Sequence, residues 1–340
     1  MASVGSLSAE AAVRARTAGS AASEHRIAVW GAGVLAGLAW LAAAATTAQW
    51  RDVMPWDRTP LLATLEAVAG GMLILIAVAG PQLNLVTEKL RALGPWLAAL
   101  PAMLTVWEVV TAKLGLLPLP FFAPPQSILQ VYIEDWHRLG ASLLASVVLL
   151  LPAYFLGIVA GFGAGIAIGW SRAVYYWGHP VLRFIGPLPA TAWLPLAFYF
   201  FSSNRTASTF LIALATAFPV AILTSSGVSS VNSAYYDIAR TLGANKRFLV
   251  LKVAIPAAMP EVFVGLFMGL GSSFAVLVVA EMLGVKAGFG YYLQWAQGWA
   301  AYANMYAALL LMSLLFSGLI TLQFKVRNRL LAWQKGVLRW

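Results

Sequence analysis

The chain contains no cysteine. That excludes disulfides, thiolate metal sites and cysteine nucleophiles. Charge is nearly as scarce: 10% of residues are Asp, Glu, Lys or Arg, against about 25% in a soluble domain. No G-x-x-x-x-G-K-[ST] run occurs, so the chain has no phosphate loop with which to cradle a nucleotide. The three histidines, His25, His137 and His179, are scattered and have no partner at ligand spacing. No internal repeat is visible, although a secondary transporter often carries one. Glu66, Glu108 and Glu281 are isolated in sequence, whereas a membrane-embedded enzyme needs clustered groups.

What the chain has instead is apolar length. Of its 340 residues 61% are hydrophobic and mean hydropathy is +0.80, the composition of an all-α integral membrane protein. About eight apolar runs are expected to cross the bilayer. They cover roughly 27–48, 61–79, 93–114, 141–170, 184–201, 207–228, 261–283 and 305–324. Residues 1–26, rich in Ala and Ser, read as a flexible cytoplasmic tail, and 330–340 as a basic one. The first run ends in LAAAATTAQW, which is similar to a signal-peptidase site. It exceeds the usual signal core of about 7–15 residues, so an uncleaved signal anchor is the preferred reading and cleavage the alternative.

Charge placement sets the orientation. Threading eight crossings from a cytoplasmic N-terminus leaves sixteen of the twenty-two Lys and Arg inside. Arg51, Arg58, Lys113, Arg138, Arg205 and Lys286 remain outside. This is the asymmetry of the positive-inside rule. The net charge of +10 therefore points to anionic lipid headgroups of the bilayer and not to nucleic acid. Glu66 and Glu108 fall within apolar runs, where a charge costs roughly 2.5–3.5 kcal/mol to insert. They read first as packing or interface residues, Glu108 beside Lys113, and second as pathway residues.

Two runs carry backbone signals. Gly157, Gly161, Gly165 and Gly169 recur every fourth residue, a ridge that lets another helix approach closely. Pro187, Pro189 and Pro195 interrupt 184–201, and a broken helix is tolerated in a membrane only where protein or a water-filled path satisfies the freed backbone. Four prolines likewise bar regular helix from Leu117 to Pro125.

The most informative stretch is the amphipathic interruption from Tyr235 to Glu261. Tyr235, Ile238, Ala239 and Leu242 fall at i, i+3, i+4 and i+7, one face of a short helix. Asn232 or Ser233 can cap its start, and Gly243 can stop it in a left-handed conformation. A second short helix is expected from Asn245 to Ile255, ended by Pro256. Asp237-Ile238-Ala239, three residues, Gly243, nine residues, Val253, one residue and Ile255-Pro256 keep every spacing of a signature written E-A-A-x3-G-x9-I-x-L-P. That signature belongs to the membrane-spanning subunits of ATP-binding-cassette importers, which this chain resembles. The end of the next run, Ala280-Glu281 with Gly288-Phe289-Gly290-Tyr291, resembles the nitrate, sulfonate and taurine branch. Ser146 is followed by Leu149, where that family often has a Ser-x-x-Arg pattern.

The resemblance implies a type I permease core of six helices over about 93–329, with a coupling loop at 229–258. The two crossings within 27–92 lie outside it. In the family the short helix is the coupling helix, seated in a cleft of the ATPase. Asp237, Ile238, Ala239, Arg240, Leu242, Gly243 and Pro256 are then the ATPase-coupling residues. The implied partners are a second permease copy, two cytoplasmic ATPase subunits that use ATP and Mg, and an extracytoplasmic solute-binding protein. This chain itself would bind no cofactor and catalyse no reaction. Small hydroxyls on a Gly-rich helix can hydrogen-bond a passing oxyanion, which makes Ser272 and Ser273 pathway candidates; helix–helix bonding is their alternative. Glu281 joins them less comfortably, since it is suited to tying down the turn at Gly288–Tyr291. An ion-coupled secondary transporter is the alternative function.

Overall fold

A computed structural model describes residues 29–80 and 88–333. The tail 1–26, Lys335 and Arg339 lie outside the described residues. Every regular element among them is helical. Among the described residues seven helices are long and apolar enough to cross a membrane, or eight if a bent pair is one span. The chain divides into two compact units, residues 1–130 and 131–340.

In the first unit α1 (Gly31–Gln49), α2 (Thr59–Ala79), the short α3 (Glu88–Ala92) and α4 (Gly94–Glu108) follow one another. Helices α1 and α2 meet at glycine. A Cβ at Gly37 would lie 2.9 Å from the Gly70 carbonyl oxygen, and one at Gly70 would lie 2.8 Å from that of Gly37. At the end of α4 the chain widens into a π-turn, Val109–Lys113, which buries Lys113. Its Nζ lies 3.3 Å from Glu108 and 2.9 Å from Asp52, and donates to the carbonyls of Thr47 and Trp50. The Thr47 hydroxyl sits 2.9 Å from Glu66 Oε2 and 2.6 Å from Glu108 Oε2. Gln126 Nε2 donates to Glu108 Oε1 at 2.6 Å. Glu66 and Glu108 thus belong to one buried polar centre, the packing role expected first for them, and Lys113, expected beside Glu108, is paired with it there. The run Leu116–Pro124 is irregular, and Pro125 opens α5 (Pro125–Glu134), at the helix start where a missing N–H costs nothing.

The second unit is organised around three long helices, α6 (Trp136–Trp170), α9 (Asn204–Ser229) and a helix that closes with Ile255–Leu283. Gly157, Gly161, Gly165 and Gly169 all face α9. Cβ atoms there would fall 2.5 to 2.7 Å from the carbonyl oxygens of Ala213, Ala217, Ala221 and Ser225. The backbones therefore touch, and bulkier residues fill the core around them: Leu149, Leu150, Leu211, Ile212 and Leu277 are almost wholly buried.

One sequence expectation needs correction, and two gaps between the apolar runs prove helical. The segment from Ser171 to Arg183, between two of those runs, belongs to the helix α7 (Arg172–Ile185), whose start Ser171 caps by accepting from the Val174 N–H. The broken segment then turns through 90°, by way of the 3-10 turn Ala190–Trp193 into α8 (Leu194–Phe200). Asn204 and Arg205, between two apolar runs, open α9 with Ser203 as cap. Pro256 does not end a helix. The chain runs from Lys246–Phe248 through a π-turn, Leu249–Ala254, straight into Ile255–Leu283. The π-turn shifts the hydrogen-bond register just before the proline, so its absent donor falls in a first turn.

Candidate functional site

The loop between α9 and the third long helix holds α10 (Ser233–Thr241), a helix of nine residues. So short a helix does not hold itself together in water, and both of its ends are tied. The Asn232 side chain accepts from the Ala234 N–H at 2.9 Å. Gly243 has φ of +83°. The Ala244 N–H donates to the Ala239 carbonyl at 3.0 Å, and the Gly243 N–H to that of Arg240 at 2.9 Å. Those two bonds make a complete Schellman turn. Asn245 then caps the next turn, α11 (Lys246–Phe248), by accepting from the Phe248 N–H.

Helix α10 turns two unlike faces outward and inward. Tyr235 and Ile238 are each 59% exposed and Leu242 82%, so the apolar face predicted from spacing is presented and not buried. With Ala239, Ala244, Asn245 and Phe248 these residues line a concavity of about 380 Å³. Asp237 and Arg240 pair at 3.0 Å with both side chains mostly exposed, an interaction worth little to folding. On the inner side Tyr236 packs edge-on to Trp170 of α6, with centroids 5.7 Å apart. It adjoins Val228 of α9 and Ala254 and Ala258 beside Pro256. Burial pushes the Tyr236 phenol above its ordinary pKa, with nearby Arg240 pulling the other way. Tyr236 therefore links the loop to the ends of all three long helices. Neither Tyr236 nor Phe248 stood out in the sequence, where the tyrosine doublet and the aromatic after Lys246-Arg247 were the available signals.

The pathway candidates separate. With the third of the three long helices labelled α12 (Ile255–Leu283), Ser272 lines a cavity of about 290 Å³. That cavity is walled by the bend Gly186–Ala190, Trp193 and, from α9, Ala215, Phe218 and Pro219. Its hydroxyl donates to the Met268 carbonyl at 3.1 Å and stays accessible. Ser273 is buried and donates to the Leu270 carbonyl. Glu281 is also buried, and its Oε2 accepts from the Gly290 N–H at 2.8 Å. The Phe289 N–H donates to Ser146 Oγ at 2.9 Å. Gly288 has φ of +95°, and a methyl there would strike the Glu281 carboxylate. Glu281 and Ser146 together hold the start of α13 (Phe289–Gly298). Nearby, Tyr292 donates to Asp135 at 2.7 Å, and Asn304 of α14 (Tyr302–Leu330) donates to Tyr292. Among the described residues no group of His, Cys, Asp and Glu could hold a metal ion.

The model of the family described as "Binding-protein-dependent transport system inner membrane component" matches residues 153–331, just over half the chain. The nitrate import permease protein NrtB of Synechococcus elongatus is 28% identical over 257 residues, 72% of this chain and 89% of the relative. The taurine transport system permease protein TauC of Escherichia coli is 33% identical, over 58% of this chain and 74% of its own length. The bicarbonate transport system permease protein CmpB of Synechococcus elongatus is 29% identical, over 58% and 68%. Among solved structures, an inward-facing MetNI methionine ABC transporter aligns with a TM-score of 0.47 at 15% identity, covering 54% of this chain and 92% of that one.

Proposed function

This chain belongs to the family of binding-protein-dependent transport system inner membrane components, and on that footing we propose that it is the pathway-forming subunit of an ATP-driven importer of a small oxyanion-bearing solute. Nitrate, taurine and bicarbonate, named for three relatives, share an oxyanion group, which favours that class. The chain works as a pair with a second permease copy, two ATPase subunits on the cytoplasmic side and a solute-binding protein outside. It hydrolyses no ATP itself. The observation that carries the proposal is the exposed apolar face of α10 and the concavity beside it, on a helix locked at both ends. The ATPase fills that concavity. Closing the ATPase dimer then moves α10, and Tyr236 passes the movement to α6, α9 and α12, which alternate access to the pathway.

The test is reconstitution in proteoliposomes with the cognate ATPase and binding protein. ATP hydrolysis stimulated by loaded binding protein, together with uptake, is expected. Hydrolysis by the purified chain alone would overturn the assignment, and uptake on an ion gradient without ATP would establish the secondary transporter instead.

Both termini are placed in the cytoplasm. Because the native chain lacks cysteine, single cysteines report topology without background. In intact cells an impermeant maleimide is expected to label Met54→Cys and Ser203→Cys and to spare Ser230→Cys until the cells are opened. Labelling of Ser230→Cys in intact cells would reverse the topology.

A further inference from the structure

A second cavity, of about 400 Å³, lies between α7 and α9. Its wall on α7 carries Tyr175, His179 and Arg183, and its wall on α9 carries Ser225, Ser226 and Ser229 around Ile222. No carboxylate lines it. Among the described residues no ion pair engages Arg183, whereas Arg138 and Arg240 both have one. His179 is stacked on Tyr175, with centroids 4.7 Å apart and planes at 23°. The Ser229 hydroxyl donates to the Gly169 carbonyl at 3.4 Å, which leaves the guanidinium, the Ser225 and Ser226 hydroxyls and the polar edges of Tyr175 and His179 as the cavity's donors. Ser225 is buried apart from its wall of the cavity, so its hydroxyl meets whatever fills that cavity, water or solute.

Position gives this composition a use. Ala215, Phe218 and Pro219 in the upper cavity and Ile222, Ser225, Ser226 and Ser229 in the lower one recur at helical spacing along one face of α9. The bent pair supplies the opposite wall of both: the bend Gly186–Ala190 above, α7 below. Gly186 marks the junction, since a Cβ there would touch Ile222 at 3.4 Å. The cavities are therefore successive stations, and the lower one adjoins the end of α9 that leads into the α10 loop.

We propose that the cavity between α7 and α9 is an oxyanion-binding vestibule, in which Arg183 and the hydroxyls of Ser225 and Ser226 receive the solute as it leaves the upper cavity towards the cytoplasm. The proposal rests on the importer assignment for its direction. Arg183 offers a planar fork of donors that matches an oxyanion. The serines offer single hydrogen bonds that a passing anion readily exchanges. With Arg183 at a half-open cavity, attraction is screened by water and salt, so the site loads and releases.

The cysteine-free background allows a direct electrostatic test. Ser226→Cys in the purified, lipid-reconstituted chain is treated with anionic methanethiosulfonate ethylsulfonate and with its cationic trimethylammonium analogue, each normalised to Ser203→Cys. The anionic reagent is expected to be favoured at position 226. Arg183→Gln is expected to lower the anion-to-cation rate ratio roughly tenfold, the scale of one unit charge acting on two oppositely charged reagents, and Arg183→Lys is expected to restore most of it. Nitrate is expected to slow modification at position 226 more than gluconate does. Ratios unmoved by Arg183→Gln, or equal effects of nitrate and gluconate, would overturn the vestibule. Because these rates need neither ATP nor partners, a vestibule that fails in a complex that still imports leaves the importer assignment standing. An intact vestibule in a chain that no ATPase can drive refutes only that assignment.

Discussion

Gly243→Val is expected to leave the protein folded and inserted while lowering ATP hydrolysis stimulated by the loaded binding protein by at least tenfold. Nothing lies within 4 Å of a Cβ built at Gly243, so no side chain collides with the valine. The penalty is confined to the backbone. At φ of +83° a residue with a Cβ pays roughly 1–2 kcal/mol, and a β-branched one is a steric outlier there. The Schellman bonds from Ala244 and Gly243 are what that conformation secures, and a nine-residue helix has few others to spare. Fraying turns Leu242 and Ile238 away from the concavity that the ATPase fills. The long helices contribute nothing to this turn, so their stability stays unchanged. Asp237→Lys is expected to give the same uncoupling by a different route. Its pair with Arg240 is exposed, so folding changes little, but a neutral ion pair beside the docking face becomes two adjacent cations. The control is Gly115→Val: Gly115 also has positive φ, +59°, meets only Val53 at ordinary contact distance, and lies in the other unit. Normal coupling in Gly243→Val and Asp237→Lys would remove α10 from the coupling machinery.

What could be read from the sequence follows the range of the forces involved. The α10 turn is legible because each of its determinants is local: a cap, a spacing of three and four, and one glycine that ends the helix within the same ten residues. The glycine ridge is legible because a period of four names a face without naming its partner, and α9 had to be found by folding. The buried polar centre was hidden for the opposite reason. Thr47, Glu66 and the neighbours Glu108 and Lys113 come from three separate helices, and spacing carries no sign that one hydroxyl lies between two carboxylates. Ser146 and Phe289 are likewise 143 residues apart. The missing Arg of the Ser-x-x-Arg pattern drew attention to what Ser146 lacked, while its hydroxyl serves the distant turn. Helix α7 was passed over because its aromatic and basic face does not look like a span, and the Pro256 boundary because a π-turn has no simple signature in single-residue preferences.

The glycine ridge leads to a prediction of opposite character, in which structure is lost and not coupling alone. Gly161→Ala is expected to destabilise the protein, by roughly 1–3 kcal/mol on the scale of overpacked interiors, and Gly161→Leu to prevent recovery of folded protein. A Cβ at Gly161 would lie 2.5 Å from the Ala217 carbonyl oxygen and 2.9 Å from both Ala217 Cα and Val220 Cβ. Two of these three atoms are backbone, so relief cannot come from a rotamer change. It requires α6 and α9 to separate, and separation is costly along the whole ridge, because Gly157, Gly165 and Gly169 make equally close approaches. In lipid no hydrophobic force draws the helices back, and packing itself is what holds them. The matched control is one turn of thought away on the same helix: Gly163 has nothing within 4 Å of a built Cβ. Gly163→Ala removes a flexible residue from a helix interior, a change that on propensity alone stabilises by about 0.5–1 kcal/mol. The two substitutions are chemically identical and two residues apart, so propensity predicts the same sign for both and packing predicts opposite signs. Thermal midpoints in one detergent or lipid decide between them, with Gly161→Ala below and Gly163→Ala at or above the parent. Equal midpoints would mean that the α6–α9 contact is not the close backbone approach described above. Since α9 also leads into the α10 loop, any Gly161→Ala protein that survives is expected to lose stimulated ATP hydrolysis as well, whereas Gly163→Ala retains it.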